Sequence, residues 1–532
     1  MNYDAEPDEY GILTTEYEVE NVSTFNAENI VTRNIYSKTL PTKIIFGTAE
    51  TGSDREKSLL EVLYVNMDNV NTAANMFRQC SNVTNINCSD WNISKVTNLG
   101  EAFLGCSKLT ALDLNNLDVS NVGYMHGLFQ GCSSLTTLDL SNWNVSQVVN
   151  MRSMFYNCTK LTTIGDVKNW DTSRIWNMDS AFYNCENLTL LDTSNFETSN
   201  VTTMSFMFYG CNSLTSLDVS NFDTSNVTDM QSMFENCYNL SSLNLINWNV
   251  SKVTNMKSIF NNCYLLTTVG DISNWAVDKV ADMSYMFNQN RVINNLDLSK
   301  WNISKVANLA NMFYNCTSLI ELDLTDWDFS NVTNMDNTFN QCTILETVGD
   351  SSNWNLSNVN SMICTFRYCH KLKELNVRNW NVSNCTTFGT LFYKCYELKE
   401  LDTGLWNTSK VTSTDFMFGG NNFTELDLSN FSMNLVKNIR SMFNSMPNLE
   451  TLNISNWHLD SVTNKNTVFN GTTKLKTIYL NNSDANTINL IISILLSRSV
   501  SDPGVIYISG VDDISQVNIE AAQAKYWNII ED

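Results

Sequence analysis

Two residue positions in this sequence recur in a way that could do chemistry: an acid between two leucines and a cysteine three residues after a phenylalanine. In residues 136–158, TTLDLSNWNVSQVVNMRSMFYNC, these are Asp139 and Cys158. Counted four residues before a recurring aromatic, the acid position reads Asp113, Asp139, Asp166, Asp192, Asp218, Asp271, Asp297, Asp323, Asp350, Asp402 and Asp427, with Asn87, Asn244, Asn376 and Asn453 in the other copies. A row of carboxylates could bind a cation such as Ca²⁺ or attract a basic partner. Interchange with Asn also suits a side chain that accepts hydrogen bonds from the SN turn that follows it. Both readings stay open. If the copies stack as parallel strands ~4.8 Å apart, adjacent unit charges repel by about 0.9 kcal/mol in bulk water and by more near a protein surface, so something must offset the row.

Twelve cysteines follow the phenylalanine mark, among them Cys132, Cys158 and Cys185. Asn290, Asn421, Met446 and Thr472 take the same place in other copies, which points to a buried, reduced, small side chain rather than to obligatory disulfides. Cys88 and Cys385 replace a core Leu and Val, while Cys364 falls outside both patterns. The three histidines, His126, His370 and His458, lie in different copies, too scattered for a relay or a His-based metal site. There is no phosphate-binding glycine loop with its lysine, no Gly-x-Ser-x-Gly elbow and no His-Glu-x-x-His. A uniform row of acids gives no reason for one pair to split into acid and base. The expectation is a protein that is not an enzyme and has no cofactor, with Ca²⁺ as the one ion to consider.

The elements that position these residues come from an internal repeat, which decides the fold before any single segment does. The phenylalanine mark falls at Phe77, Phe103, Phe129, Phe155, Phe182, Phe208, Phe234, Phe260, Phe287, Phe313, Phe339, Phe366, Phe392, Phe418, Phe443 and Phe469, sixteen copies mostly 26 residues apart. Three spacings of 27 coincide with TTIGDVKNW, TTVGDISNW and ETVGDSSNW, where one residue enters beside a glycine, as a bulge or widened turn would add it. Within a copy, Leu138-Asp139-Leu140 alternates as a short strand with leucines in and acid out. Val148, Met151, Met154 and Phe155 then follow at helical spacing after Ser146, a position otherwise filled by Asp278, Asn434 or Asp460, which predicts a short capped helix. The aromatics that end each strand, Trp143 and its counterparts with Phe196, Phe222, Phe431 and Leu117, read as core. Such small units cannot bury their apolar faces alone and must stack. The fold class is an α/β repeat solenoid: a right-handed coil with a parallel sheet on one face and short helices on the other, capped at both ends, ~70–75 Å long by strand spacing.

Composition agrees. The 532 residues are 43% apolar, enough for a large core, and 55 acids against 32 Lys and Arg give a formal charge of −23. That balance disfavours nucleic acid and anionic membranes. Proline occurs only at positions 7, 41, 447 and 503, leaving some four hundred residues whose amides can all join a ladder. The apolar stretch INLIISILL is about half the roughly 20 residues of a spanning helix, so no transmembrane segment is expected. MNYDAEPDEYG carries acids where a secretory signal would be basic and then apolar, so no ordinary signal peptide is expected either.

The units MFYNCTKLTTIGDVKNWDTSRIWNM and MFYGCNSLTSLDVSNFDTSNVTDM resemble the BspA-like leucine-rich repeats, a 26-residue class found in mycoplasma-type lipoproteins and bacterial surface antigens. The resemblance covers about residues 70–475. It implies a leucine-rich-repeat solenoid and, as in many members, adhesion to host matrix or other cells; it names no ligand. The sequence departs from the surface-antigen pattern in showing no lipobox, wall-anchor motif or membrane tail. Three parts are expected: residues 1–56 as an N-terminal cap or anchoring segment, 57–472 as the solenoid, and 473–532 as a strand-helix-strand-helix cap. The functional expectation is a recognition or adhesion scaffold that presents its acidic face to a protein or glycan on another cell or particle. Its place would be extracellular, at a bacterial surface or on a phage virion. The alternative is a cation-stabilised structural spacer or decoration protein of a virion.

Overall fold

A computed structural model describes residues 32–35, 61–65, 70–511 and 513–531. Most of the expected N-terminal cap, residues 1–56, lies outside the described residues. The chain divides into two compact units, Met1–Asp271 and Ile272–Asp532.

In the first unit, strands β1 (Thr32–Ile35), β2 (Glu61–Val65) and β3 (Asn85–Ile86) form a parallel three-stranded sheet in that order. From there the chain winds in coils, and the coil around Asp139 shows how. Leu138 and Leu140 are buried and Asp139 is exposed, as alternation requires. Leu140 N donates to the Ile164 carbonyl of the following coil at 2.9 Å, and Thr162 N donates back to Thr136 O at 2.8 Å. The strand is only a few residues long. Trp143 then closes a tight turn onto Leu140 O at 3.0 Å and its ring is 3% exposed, with Nε1 donating to Leu114 O of the preceding coil at 3.2 Å. This satisfies the one polar atom of a buried indole.

The short helix expected after Ser146 does not form. Met151–Cys158 is instead a run of β-turns, with Met154 N to Met151 O, Tyr156 N to Ser153 O and Cys158 N to Phe155 O each at 3.1 Å. The intervening amides of Met151, Ser153, Phe155 and Asn157 donate to Asn177, Asp179, Ala181 and Tyr183 in the next coil at 3.0, 2.9, 2.8 and 2.7 Å. The physical reason is cooperative. A helix of one or two turns fixes several dihedrals for few bonds and spends every amide within its own coil. Alternating turns leave half the amides free to bond the neighbouring coil. They require left-handed backbone, which Ser153 (φ 55°) and Asn157 (φ 58°) supply. Apolar residues three and four apart serve a chain of turns as well as a helix, so the pattern did not distinguish them. Ser146 is no helix cap either: its N–H donates to Asn144 Oδ1 at 3.1 Å, closing a side-chain turn.

Stacking turns each position into a column. Phe103, Phe129, Phe155, Phe182 and Phe208 lie with ring centroids 5.2–5.7 Å apart, and each is fully or almost fully buried. The glycines of the widened turns are placed by the same column logic. Gly165 has φ 84°, and a Cβ there would fall 2.5 Å from Asp139 Oδ1 of the preceding coil. The inserted residue therefore passes over the acid position with no side chain.

The second unit repeats this coil, with a 3₁₀ turn at Phe329–Asn331. The equivalent of Gly165 is Gly349, φ 79°, whose Cβ would lie 2.6 Å from Asp323 Oδ1. Its later coils carry a parallel five-stranded sheet in the order β4 (Glu425–Asp427), β5 (Thr451–Asn453), β6 (Thr477–Tyr479), β7 (Gly504–Ile508) and β8 (Trp527–Glu531). Helix α1 (Ala485–Ile494) begins at Asp484, whose carboxylate accepts Thr487 N at 2.7 Å, and it buries Ile488, Ile491 and Ile492. The helix expected over ISQVNIEAAQAKYW is broken into a 3₁₀ turn at Ile514–Gln516 and a short helix α2 (Ile519–Gln523), after which the chain returns as β8. Among the described residues no helix is long and apolar enough to cross a membrane.

Candidate functional site: the outward acidic column

Each acid of the column is set by the strand before it and the turn after it. Alternation puts it on the outer face, and its Oδ1 then folds back onto the amide two residues on. Ser141 N donates to Asp139 Oδ1 at 3.1 Å and Ser141 Oγ donates to the same oxygen at 2.6 Å. In the first unit the amide bond recurs at Asp113 (3.2 Å), Asp166 (3.2 Å), Asp192 (3.1 Å) and Asp218 (3.0 Å). In the second it recurs at Asp297 (3.1 Å), Asp323 (3.2 Å), Asp350 (2.9 Å), Asp402 (2.9 Å) and Asp427 (2.9 Å). Asp271 is exposed in its turn like the others. Asn87 and Asn453 accept the same bond from Ser89 and Ser455, which is why the amide can replace the acid.

The bonds also answer the repulsion within the column. Donors on the turn favour the ionised form, so Asp139 and Asp218 are held below the ordinary carboxylate range by the Ser141 and Ser220 hydroxyls first and their amides second. Asp166 is lowered chiefly by Lys168, which lies 2.8 Å from its Oδ2. Asp402 is lowered by the Gly404 amide and then by Arg378, with which it forms an ion pair. For Asp139, Asp192, Asp218, Asp297 and Asp323 the bonds above fall on Oδ1, so each presents a fixed, charged Oδ2 to solvent. Among the described residues no three of His, Cys, Asp and Glu converge on a point that could hold a metal ion.

Two further columns of the same kind were not foreseen in the sequence. At the second corner Ser120 N donates to Asp118, Ser146 N to Asn144 and Ser173 N to Asp171, at 3.0–3.1 Å. At the third corner Arg152 N, Asp179 N and Gln231 N donate to Asn150, Asn177 and Asp229, all at 2.9 Å. At the second corner the signal is Asn or Asp two residues before the Ser146 position, which reads as a helix cap in the sequence; at the third it is Asn or Asp two residues before a residue of no fixed type, Arg152, Asp179 or Gln231. Shallow grooves follow the acid column: one of about 520 Å³ borders Asp113, Asp139, Ser141 and Gly165, and one of about 540 Å³ borders Lys373, Glu374, Arg378 and Asp402.

The cysteines and indoles lie behind this surface. Fourteen of the fifteen thiols are buried and Cys364 is partly exposed. Within the first unit Cys132, Cys158, Cys185 and Cys211 each donate through Sγ to the carbonyl of the phenylalanine one coil back, Phe103, Phe129, Phe155 and Phe182, at 3.1–3.2 Å. That bond explains why Thr472 can stand in, since its hydroxyl reaches Phe443 O in the same way. Burial pushes the Cys132 thiol up to about 12.

Short parallel strands, a leucine ladder and coils of about 26 residues define a leucine-rich-repeat solenoid. Its family follows from the sequence: residues 71–165, 162–268, 238–348, 319–425 and 417–492 match the family described as "Mycoplasma protein of unknown function, DUF285". The chain belongs to this family of mycoplasma-type, BspA-like leucine-rich repeats. A comparison with curated proteins gives no significant match. Among solved structures it is similar to a leucine-rich cell surface protein of Faecalibacterium prausnitzii (16% identity, 87% of this chain and 95% of that one, TM-score 0.23). It is also similar to a leucine-rich-repeat protein of Eubacterium ventriosum (17%, 74% and 91%, TM-score 0.28) and to one of Leptospira interrogans (12%, 79% and 90%, TM-score 0.22).

Proposed function

We propose that the chain is a non-enzymatic recognition scaffold whose outward acidic column, with the grooves beside it, engages a basic protein or a glycan on another cell or particle. The observation that carries this reading is the geometry of Asp139, Asp192, Asp218, Asp297 and Asp323: one oxygen is fixed by the turn and the other is charged and open. Pre-organised charges at repeat spacing favour an extended partner of opposite sign, because little ordering is left for binding to cost. A surface or virion placement fits such a role. It is tested by fractionating the source culture into cytosol, envelope, medium and purified particles and locating the chain by mass spectrometry. Recovery in the envelope, the medium or the particles supports the reading. Recovery in the cytosol alone refutes it.

The spacer alternative makes a separate prediction. If Ca²⁺ bridges neighbouring acids, millimolar Ca²⁺ raises the melting temperature and a chelator lowers it. An unchanged melting curve removes that alternative and leaves recognition standing.

A further inference from the structure

The second unit carries a patch of opposite character on its turn side. Tyr368 and Lys394 occupy the position two residues after the phenylalanine mark, with φ of 62° and 61°, and Phe416 occupies the position two before it, with φ of 53°. Other coils fill the first of these left-handed positions with amide, small or glycine residues, such as Asn157, Asn262, Asn315 and Gly420; the second carries small residues such as Ser153, Ser232 and Asn337 in some coils and an aromatic, Phe206 or Tyr285, in two others. A bulky side chain in left-handed backbone is a genuine outlier, and three of them lie in successive coils.

They are joined by cations. The Arg367 guanidinium lies 4.6 Å from the Tyr368 ring centre, Lys394 Nζ lies 5.4 Å from it and 5.3 Å from that of Tyr393, and Arg440 lies 4.8 Å from Phe416. Tyr393 meets Phe416 edge-on at 5.5 Å, so the strip is continuous from Arg367 to Arg440. The cations beside the strip are neutralised, Lys371 by Glu397 and Lys373 by Glu346, whereas Arg367, Lys394 and Arg440 have no ion pair among the described residues. Asp415, at the register position before Arg440, is bonded to Ser413 Oγ at 2.7 Å. The Arg367 Nε–H is shielded without a hydrogen-bond partner, so the guanidinium has an unfilled place for an acceptor, and His370 Nε2 beside it is unpartnered as well. Beside them Tyr396 is 38% exposed and is stacked on His370 at 4.7 Å, which leaves an aromatic surface at the patch edge.

We infer that this strip, formed by Arg367, Tyr368, Tyr393, Lys394, Phe416 and Arg440, binds a short acidic glycan, with its sulfate or carboxylate groups on the cations and a sugar face on the exposed Tyr396 at its edge. Charge complementarity selects the occupant: with three cations against the one neighbouring carboxylate, Asp415, the strip is a net positive island on a chain of net charge −23. A long nucleic acid would run off the island onto acidic surface, whereas a short acidic sugar need not. The inference does not rest on the role of the acidic column.

The test is calorimetric titration of the full chain at low salt with a short heparin-type sulfated oligosaccharide, a neutral oligosaccharide of the same length and a single-stranded oligonucleotide of equal charge. The variant is Tyr368→Asn with Lys394→Asn, which installs residues that other coils carry at this position and should leave the melting temperature unchanged or raised. The expected result is binding of the sulfated sugar by the native chain, weakened roughly tenfold or more in the variant, as loss of one charge-assisted contact with its ring support implies. Neither of the other probes should match it. No binding by the native chain, undiminished binding by the variant, or equal affinity for the oligonucleotide overturns the inference.

Discussion

The buried thiols give the sharpest quantitative prediction. Cys132, Cys237 and Cys342 are raised to about 12 by burial, each partly offset by a hydrogen bond from the backbone of the equivalent cysteine one coil back, Cys106, Cys211 and Cys316. At pH 8 an unperturbed thiol of pKa about 8.5 is roughly a quarter thiolate, whereas one of about 12 is thiolate at a level of about 10⁻⁴. Since the thiolate is the nucleophile, chemistry alone slows these cysteines about a thousandfold, and exclusion of reagent slows them further. Cys364 is the exception: it is partly exposed, with Sγ 2.7 Å from Thr390 Oγ1. In an assay with an aromatic disulfide reagent, the native chain is expected to show one prompt thiol, assigned to Cys364 by its loss in Cys364→Ser. All fifteen should appear in guanidinium without reductant. Several prompt thiols in the native chain would refute the buried column, and fewer than fifteen after denaturation would show disulfides in its place.

Other consequences follow from single contacts. Trp301, 2% exposed, donates through Nε1 to Ile272 O at 3.0 Å. Trp301→Phe should cost about 1 kcal/mol for the lost bond and Trp301→Ala about 3–5 kcal/mol, as read from urea unfolding; a cost-free Trp301→Phe would show that the bond contributes nothing. Gly165→Ala places a Cβ 2.5 Å from Asp139 Oδ1 at φ 84° and should destabilise by about 1–3 kcal/mol, whereas Gly123→Ala, with nothing closer than 3.7 Å, should be nearly neutral. Asp139, Asp166, Asp218, Asp350 and Asp402 all have lowered folded-state pKa values. The stability they add is therefore complete above their unfolded pKa near 4 and is lost as pH falls through the lowered folded values. Asp229 and Glu235, raised by burial, act in the opposite sense. Melting temperature against pH should thus fall steeply below about pH 4, and a flat acid limb would contradict the turn bonds.

The repeat, the inward leucines, the buried aromatic column and the outward acids were legible because each depends on period and side-chain polarity alone. Asn in place of Asp at Asn87 and Asn453 already pointed to the turn bond that the structure shows. The helix was misread because Met151, Met154, Phe155 and Cys158 satisfy a turn ladder as well as a helix. The distinction lies in Ser153 and Asn157, whose tolerance of positive φ leaves no mark in hydrophobic periodicity. The return strand β8 was missed for a related reason. Ala-rich IEAAQAKYW reads as helix to its end, but Tyr526, with φ 61°, breaks it, and Trp527–Glu531 then pairs with Gly504–Ile508. The cation–aromatic strip depends on residues in four coils, which are adjacent only once the register is known.

The most direct test of the recognition role is to replace Asp192, Asp218, Asp297 and Asp323 together by Asn and measure binding to an immobilised polybasic peptide alongside circular dichroism and melting. The amide keeps each turn bond and removes the charged outward oxygen. The account predicts unchanged folding, with affinity reduced and its salt dependence flattened. Folding and binding that both survive intact would show that the column is turn chemistry alone and would contradict the account.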